Sequence, residues 1–467
     1  MATCCSARNF ALGIVLGFMG GLALVSLLKR KRKTLDIEKE FSMSKEEMQL
    51  IIDEFIKELN EGLQKDGQLL PMLVSHVSKM PKGMEHGRFV ALDLGGTNFR
   101  ISLIELGLGG KKGKKKLIKT VKQEKYHIPQ HLKEGKGQDL FAFVAEMVQK
   151  FLGSERNLKM GFTFSFPVEQ LSINKGKILG WSKDFACNDV LQMDPVALLQ
   201  QELIKKGVDV KVSALVNDTV GTLACGRFKD QDTMIGVILG TGSNAAYVEK
   251  CENISKFQCD SEEMIINIEW GAFSKYLPIT KYDKLVDAGS KNVGKQTFEK
   301  LISGYYLGEI ARLALCDMIK NGDLFESDAS EKFSKPHLFD ASLMSAVEAD
   351  LSIKMEETER LFREKYHIST TEADRIKVKK IFSCISLRSA RLAALGVISI
   401  IKKIGMVGKK CIVAIDGSLF ELYVYYKERM VETFIEVLGD DSAQQIELTF
   451  VKDASSAGSA VIAALFE

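Results

Sequence analysis

The stretch Leu92-Asp93-Leu94-Gly95-Gly96-Thr97-Asn98-Phe99-Arg100 decides how the chain is read. The apolar run from Phe89 delivers an aspartate, two glycines permit a tight turn, and a second strand, Phe99 to Leu106, leaves it. Glycine lets the main chain come close to a ligand, so such a turn offers backbone N–H groups and the Thr97 hydroxyl to a phosphate. Asp93 stands where a phosphate-bound Mg²⁺ takes an oxygen partner, often through water. Ile238-Leu239-Gly240-Thr241-Gly242-Ser243-Asn244-Ala245-Ala246-Tyr247 repeats the strand, glycine turn, strand form. Either turn alone reads as an ordinary β-turn. Together they predict a duplicated fold with a nucleotide between its halves.

Two other nucleotide folds compete. No G-x-x-x-x-G-K-[ST] occurs, so a P-loop is excluded at motif level. Gly240 to Ala245 matches a loose G-x-G-x-x-A, but Ala246-Tyr247-Val248-Glu249 continues as strand, whereas a dinucleotide turn must open a helix. A helix beginning at Ala245 would revive that reading.

Working outward, further strand-like runs are Met160 to Phe166, Val210 to Val216, Met234 to Leu239, Met264 to Ile268 and Cys411 to Ile415. Met48, Ile51, Ile52, Phe55, Leu59 and Leu63 recur at helical period behind a capping-box spacing, Ser44 to Glu47. Leu140 to Leu152 reads as an amphipathic helix capped by Asp139, and helical segments cover Thr297 to Lys320, Leu343 to Tyr366 and Asp374 to Ile404. Lysines 111, 112, 114, 115 and 116 fit a solvated hairpin tip. Interleaved strands and helices make the class α/β. In Leu215-Val216-Asn217-Asp218-Thr219 a continuous apolar strand ends where a helix begins. A carboxylate there is held ionised by the helix dipole and free N–H groups, which suits a base taking a proton from a hydroxyl that attacks phosphorus. The plainer alternative is that Asp218 only caps the helix.

Bulk properties bound the rest. The chain has 467 residues, and its net charge of +3 is too small to indicate a nucleic-acid partner. The scattered cysteines form no C-x-x-C, so reduced, mostly buried thiols are expected. Phe10 to Leu28 carries no charge over 19 residues and is followed by Lys29-Arg30-Lys31-Arg32-Lys33. That length reaches across a bilayer core. With the basic block after the apolar run, a signal anchor holding the body on the cytosolic side is favoured over a cleaved leader.

The strings LDLGGTNFR, GFTFSFP, ALVNDTVGTL, LGTGSNAAY, NIEWGAF, EKLISGYYLGE and VAIDGSLFE resemble the hexokinase family, in order, across roughly residues 45–467. With the anchor, and the stretch around Lys335-Pro336-His337-Leu338-Phe339, the chain looks most like plant membrane-anchored hexokinases, which implies the mitochondrial outer membrane. The resemblance implies an actin-like (ribonuclease H-like), duplicated two-lobed ATPase fold that phosphorylates a hexose, glucose and also fructose or mannose, at its 6-hydroxyl with ATP and Mg²⁺. It implies a monomeric catalytic body.

Carried over by motif, Ser165, Ser182, Lys183, Asn217, Asp218, Asn244, Glu269 and Glu299 surround the sugar, with Asp218 and Lys183 catalytic. Gly95, Gly96, Thr97, Asn98, Arg100, Gly240, Thr241, Gly242, Asp416, Gly417 and Ser418 hold ATP, and Asp93 steadies the metal. The implied organisation is anchor 1–33, linker and helix on the large lobe 34–80, small lobe 81–216, large lobe 217–445, and a segment 446–467 returning to the small lobe.

Four positions depart from the family. Asp184 and Ser389 replace glycines, and Ala454 and Ser456 stand where D-G-S-G has glycine. If those glycines had positive φ, each replacement costs roughly 1–2 kcal/mol. This motivates a second reading, a hexose sensor or scaffold with weak catalysis.

Overall fold

A computed structural model describes residues 37–95, 98–109, 115–181, 185–325 and 329–466. The charge-free run 10–28, residues 110–114 of the lysine-rich tip, Gly96, Thr97 and residues 182–184 lie outside them.

The strands in chain order are β1 Leu73–Val74, β2 Gly87–Leu94, β3 Asn98–Gly109, β4 Lys115–His127, β5 Leu158–Phe164, β6 Val168–Ser172, β7 Lys175–Ile178 and β8 Val210–Val216. Then come β9 Thr233–Leu239, β10 Ser243–Lys250, β11 Glu263–Asn267, β12 Cys411–Asp416 and β13 Ile446–Phe450. One sheet runs β4-β3-β2-β5-β8 and the other β1-β11-β10-β9-β12-β13. In the first, β2, β3 and β4 are antiparallel neighbours, and β5 and β8 add in parallel. In the second, β9, β10 and β11 repeat the meander, and β12 and β13 add in parallel. The order third, second, first, fourth, fifth is therefore the same in both lobes, with β1 an extra edge strand. This is the duplicated actin-like arrangement. β10 is a strand, so no helix opens at Ala245 and the dinucleotide reading falls.

Why these residues form strands is plain in the parallel ones. Val210–Val216 and Cys411–Asp416 are buried almost throughout, and strands covered on both faces need continuous apolar runs. The core has three parts. One fills the large lobe and takes in Met48, Ile51, Phe55 and Leu59 of the helix Lys45–Gln64. One fills the outer small lobe. The third lies between the sheets and joins Phe89 and Ile104 of one to Ala246, Val248 and Ala414 of the other through Val220, Leu223, Val461 and Ile462.

Those last four residues belong to two helices, Asp218–Lys229 and Ala454–Leu465, which cross backbone to backbone. A Cβ on Gly458 would sit 1.7 Å from Gly221 O, so only glycine fits there. The segment 446–467 therefore divides: β13 completes the large-lobe sheet beside β12, and only the helix after it packs on the small lobe and between the lobes. The expected single return from residue 446 is corrected accordingly.

Three smaller expectations also change. The helix Gly137–Leu152 starts before Asp139, and Asp189 Oδ1 accepts from Gly137 N–H at 2.8 Å, so the helix start is served from another segment. The helical stretches are broken, that from Thr297 at Ser303 into Thr297–Ile302 and Gly304–Lys320, and that from Leu343 over residues 350–355 into Ala341–Ala349 and Glu356–Tyr366. Cys251 and Cys259, brought together beyond the β10–β11 hairpin with Cα atoms 5.7 Å apart, form a disulfide rather than remaining thiols.

Candidate active site

Acids and amides gather where β8 and β11 end and β10 begins. Asn217, not Asp218, caps the helix Asp218–Lys229: its Oδ1 accepts from Thr219 N–H at 2.9 Å. Asp218 is the first helical residue, and its Oδ1 accepts from Thr219 N–H at 2.8 Å. The capping duty thus falls on Asn217, and Asp218 is half-buried beside it.

Asn244, at the start of β10, donates through Nδ2 to Glu269 Oε1 at 3.0 Å and to Asn267 Oδ1 at 2.8 Å. Asn267 Nδ2 in turn donates to Glu269 Oε1 at 2.8 Å, and Thr219 Oγ1 reaches Asn267 Oδ1 at 3.5 Å. Glu269 has φ 58°, a left-handed conformation rare for this residue type, directly before the turn Trp270–Ala272. Burial pushes its carboxyl above the ordinary range, and the charges of Asp218 and Glu299 push it further, against the two amide donors. Glu299, from Thr297–Ile302, accepts from Ser243 N–H at 2.9 Å beside the second glycine turn. Asp218, Glu269 and Glu299 therefore form one electrostatic group. Asn267 was not singled out, because an asparagine closing a strand carries no signal of its own.

The second glycine turn is closed by Gly240 N–H donating to Gly242 O at 3.0 Å. Gly304 N–H, opening the next helix, donates to Gly240 O at 2.8 Å. Against this turn lies Gly417, at φ +123°, where a Cβ would sit 2.3 Å from Leu239 O. Gly240, Gly242, Asp416, Gly417 and Ser418 are thus one neighbourhood at the ends of β9 and β12. Asp416 Oδ2 accepts from Ala454 N–H at 2.8 Å; burial raises its carboxyl, opposed by the N–H groups of Ala454, Gly417 and Ser455.

Of the first turn, Asp93 and Gly95 are described. Asp93 ends its strand half-buried and accepts from Ser455 Oγ at 3.4 Å. A Cβ on Gly221, one turn along from Asp218, would lie 2.6 Å from Ser455 O. The helix carrying Asp218 and the aspartate of the first turn therefore share Ser455 as a neighbour. Arg100 pairs with Asp453. Ser165 is half-buried with its N–H on Leu94 O, beside the first turn. Ser182, Lys183 and Asp184 fall outside the described residues; flanking them, Trp181 stacks on Phe185 with centroids 5.5 Å apart.

The departures can be placed. Ala454 and Ser456 are helical, and neither has positive φ, so the backbone strain foreseen there does not arise. Gly458, the position where a Cβ is impossible, is still glycine. Ser456 Oγ is buried without a hydrogen-bond partner. Ser389 is buried in the helix Glu372–Lys403, with its Oγ 3.0 Å from Ile302 O and 2.8 Å from Tyr426 Oη.

Comparison with known proteins agrees with this geometry. Residues 33–228 and 234–465 match two family models, each described as hexokinase. Hexokinase-1 of Spinacia oleracea is 40% identical over 438 residues, covering 89% of this chain and 86% of that one. Hexokinase-2 of Saccharomyces cerevisiae is 38% identical over 453 residues, covering 92% and 91%. A solved hexokinase from Schistosoma mansoni, complexed with glucose, superposes with a TM-score of 0.82 at 32% identity, covering 94% of this chain and 99% of that one.

Proposed function

The chain belongs to the hexokinase family, and from that premise we propose that Asp218 takes the proton of a hexose 6-hydroxyl as its oxygen attacks the γ-phosphorus of ATP. The enzyme phosphorylates a hexose with ATP. The observation that supports the finer reading is the single group of Asp218, Glu269 and Glu299, knitted by Asn244 and Asn267, beside the second glycine turn.

Sugar hydroxyls are donors and acceptors at once, so a pocket of fixed carboxylates and amides suits them. Glucose is the preferred substrate in this reading, with fructose or mannose also accepted. A buried acid left unpaired by the wrong epimer costs ~1–3 kcal/mol, enough to discriminate. Asn217 fixes the helix start that aims Asp218, and Ser165, Ser182 and Lys183 complete the sugar contacts from the small lobe. General-base help contributes roughly 10²–10⁴-fold; the rest comes from positioning and from donors aimed at the transferring phosphoryl.

The backbone N–H groups of both turns, with Thr97, Asn98 and Thr241, cradle the phosphates. Asp416, Gly417 and Ser418 border adenosine. Arg100 contributes charge from beside Asp453. Mg²⁺ arriving on ATP needs only one or two protein oxygens besides phosphate and water, and the half-buried Asp93 next to the first turn is the chemistry it takes. When bound, it neutralises phosphate charge. Closure of the lobes excludes water, the competing acceptor.

Residues 10–28 hold the enzyme on a membrane, with the mitochondrial outer membrane as the site, and the catalytic body works as a monomer. The long apolar helix Glu372–Lys403 is mostly buried and belongs to the core. Residues 454 and 456 carry no positive φ, so backbone strain lends nothing to the weak-catalysis reading.

The test is a coupled assay of glucose-6-phosphate formation. Asp218→Ala should lower kcat ~10²–10⁴-fold while glucose still binds. Wild-type activity no higher than that of the variant overturns the assignment of Asp218.

A further inference from the structure

Residues 350–355 link the helices Ala341–Ala349 and Glu356–Tyr366 and turn two aliphatic side chains into water: Leu351 is 79% and Ile353 94% exposed. The loop is pinned. Asp350 Oδ2 accepts from both the N–H and the Oγ1 of Thr358 at 2.7 Å. Lys379 Nζ donates to Asp350 O at 2.6 Å, and Arg375 Nε to Lys354 O at 2.9 Å. Lys379 and Arg375 lie on the helix Glu372–Lys403, and Ile376, next to Arg375, is 54% exposed.

One helical turn beyond Ile376, Lys380 pairs with Glu38 at 3.6 Å. The aliphatic cluster thus neighbours the place where the chain joins the fold. That place is fixed as well: Ile37 and Phe41 are buried, and Phe41 stacks on Tyr282 at 5.9 Å with the Arg388 guanidinium 4.8 Å from its ring.

In the sequence, only residues 34–36 separate Ile37 from Lys33, the end of the basic block. A chain spans at most about 3.3–3.6 Å per residue, so Lys33 stays within ~14 Å of Ile37. We propose that the face carrying Leu351, Ile353 and Ile376 rests in the headgroup layer of the bilayer, which turns a tethered body into an oriented one. This rests on reading residues 10–28 as a membrane span. A single exposed aliphatic residue needs no explanation, but three on a loop and a helix tied to each other by hydrogen bonds, beside so short a tether, have a partner close at hand. Lys380 is paired with Glu38 and Arg360 with Glu357, so the contact is made by apolar side chains entering the interface rather than by attraction to anionic lipid.

The test uses the full chain in vesicles of phosphatidylcholine brominated on its acyl chains. Ile353→Trp and Ile376→Trp each add a tryptophan at an exposed position, and Ile204→Trp, on the small lobe at 68% exposure, is the control. The expected result is flotation of all three with the vesicles and loss of the added emission at 353 and 376 but not at 204. Flotation with emission at 353 and 376 no more quenched than at 204 overturns the proposal and leaves the span standing. Failure of the full chain to float removes the span and the proposal together.

Discussion

Asp93, from the small-lobe sheet, and Asp416, from the large-lobe sheet, both turn to the first residues of one helix: Ser455 Oγ donates to Asp93 Oδ2 at 3.4 Å, and Ala454 N–H to Asp416 Oδ2 at 2.8 Å. The helix Ala454–Leu465 is thereby tied at its start to both lobes, next to both glycine turns.

Asp416→Ala leaves backbone N–H groups of residues 417, 454 and 455 without their carboxylate, an expected cost of ~1–3 kcal/mol. Because Asp416 borders the nucleotide side and not the sugar acids, KM for ATP should rise while glucose affinity holds. Denaturant titration and separate measurement of the two KM values check both parts.

Asn267 is expected to be a positioning residue. It touches Asn244, Glu269 and Thr219, and so joins three of the segments around the sugar. Asn267→Ala should raise KM for hexose about 5–150-fold, the equivalent of one lost buried hydrogen-bond partner, with a smaller change in KM for ATP. Equal changes in both would make its role merely structural.

How much of this was legible follows from the kind of signal each element carries. The parallel strands are continuous apolar runs, so Val210–Val216 and Cys411–Asp416 could be read directly. Asp218 stood out at a strand end opening a helix, with plain capping as the alternative, whereas Glu269 and Glu299 were legible only through long motifs, since each alone is an ordinary carboxylate. Asn267 was missed because its importance lies in contacts made across three segments. β13 was missed because Ile446–Phe450 is short and only partly buried, and the Cys251–Cys259 bond because a spacing of eight matches no motif and both cysteines lie in the loop joining β10 to β11.

Glu269 gives a pH-dependent prediction. Its carboxyl is raised by burial and by Asp218 and Glu299, so the folded protein holds that proton more tightly than the unfolded chain does. Its contribution to stability is therefore full below the ordinary carboxylate value of 4.5 and declines as pH rises through the raised one. At neutral pH the raised carboxyl therefore costs stability relative to low pH. Glu269→Gln should then raise the denaturation midpoint of the ligand-free protein at pH 7 and flatten its decline above pH 4.5, while glucose stabilises the variant far less than wild type. A lower midpoint for the variant at pH 7 would contradict this.

Restoring glycine at position 389 separates family resemblance from local physics. Ser389 lies mid-helix at 0% exposure, and its hydroxyl serves Ile302 O and Tyr426 Oη. Glycine in a helix interior costs ~0.5–1 kcal/mol, and stranding the buried Tyr426 hydroxyl adds about 1–3 kcal/mol. Ser389→Gly should therefore lower stability by ~2 kcal/mol, and Ser389→Ala, which spares the backbone term, by less. Neither should alter kcat, because Ser389 meets the helix Thr297–Ile302 at Ile302 O, its last residue, and not at the Glu299 side chain. A gain of activity in Ser389→Gly would show instead that the serine restrains Glu299, and would return weight to the reading of a catalytically weakened enzyme.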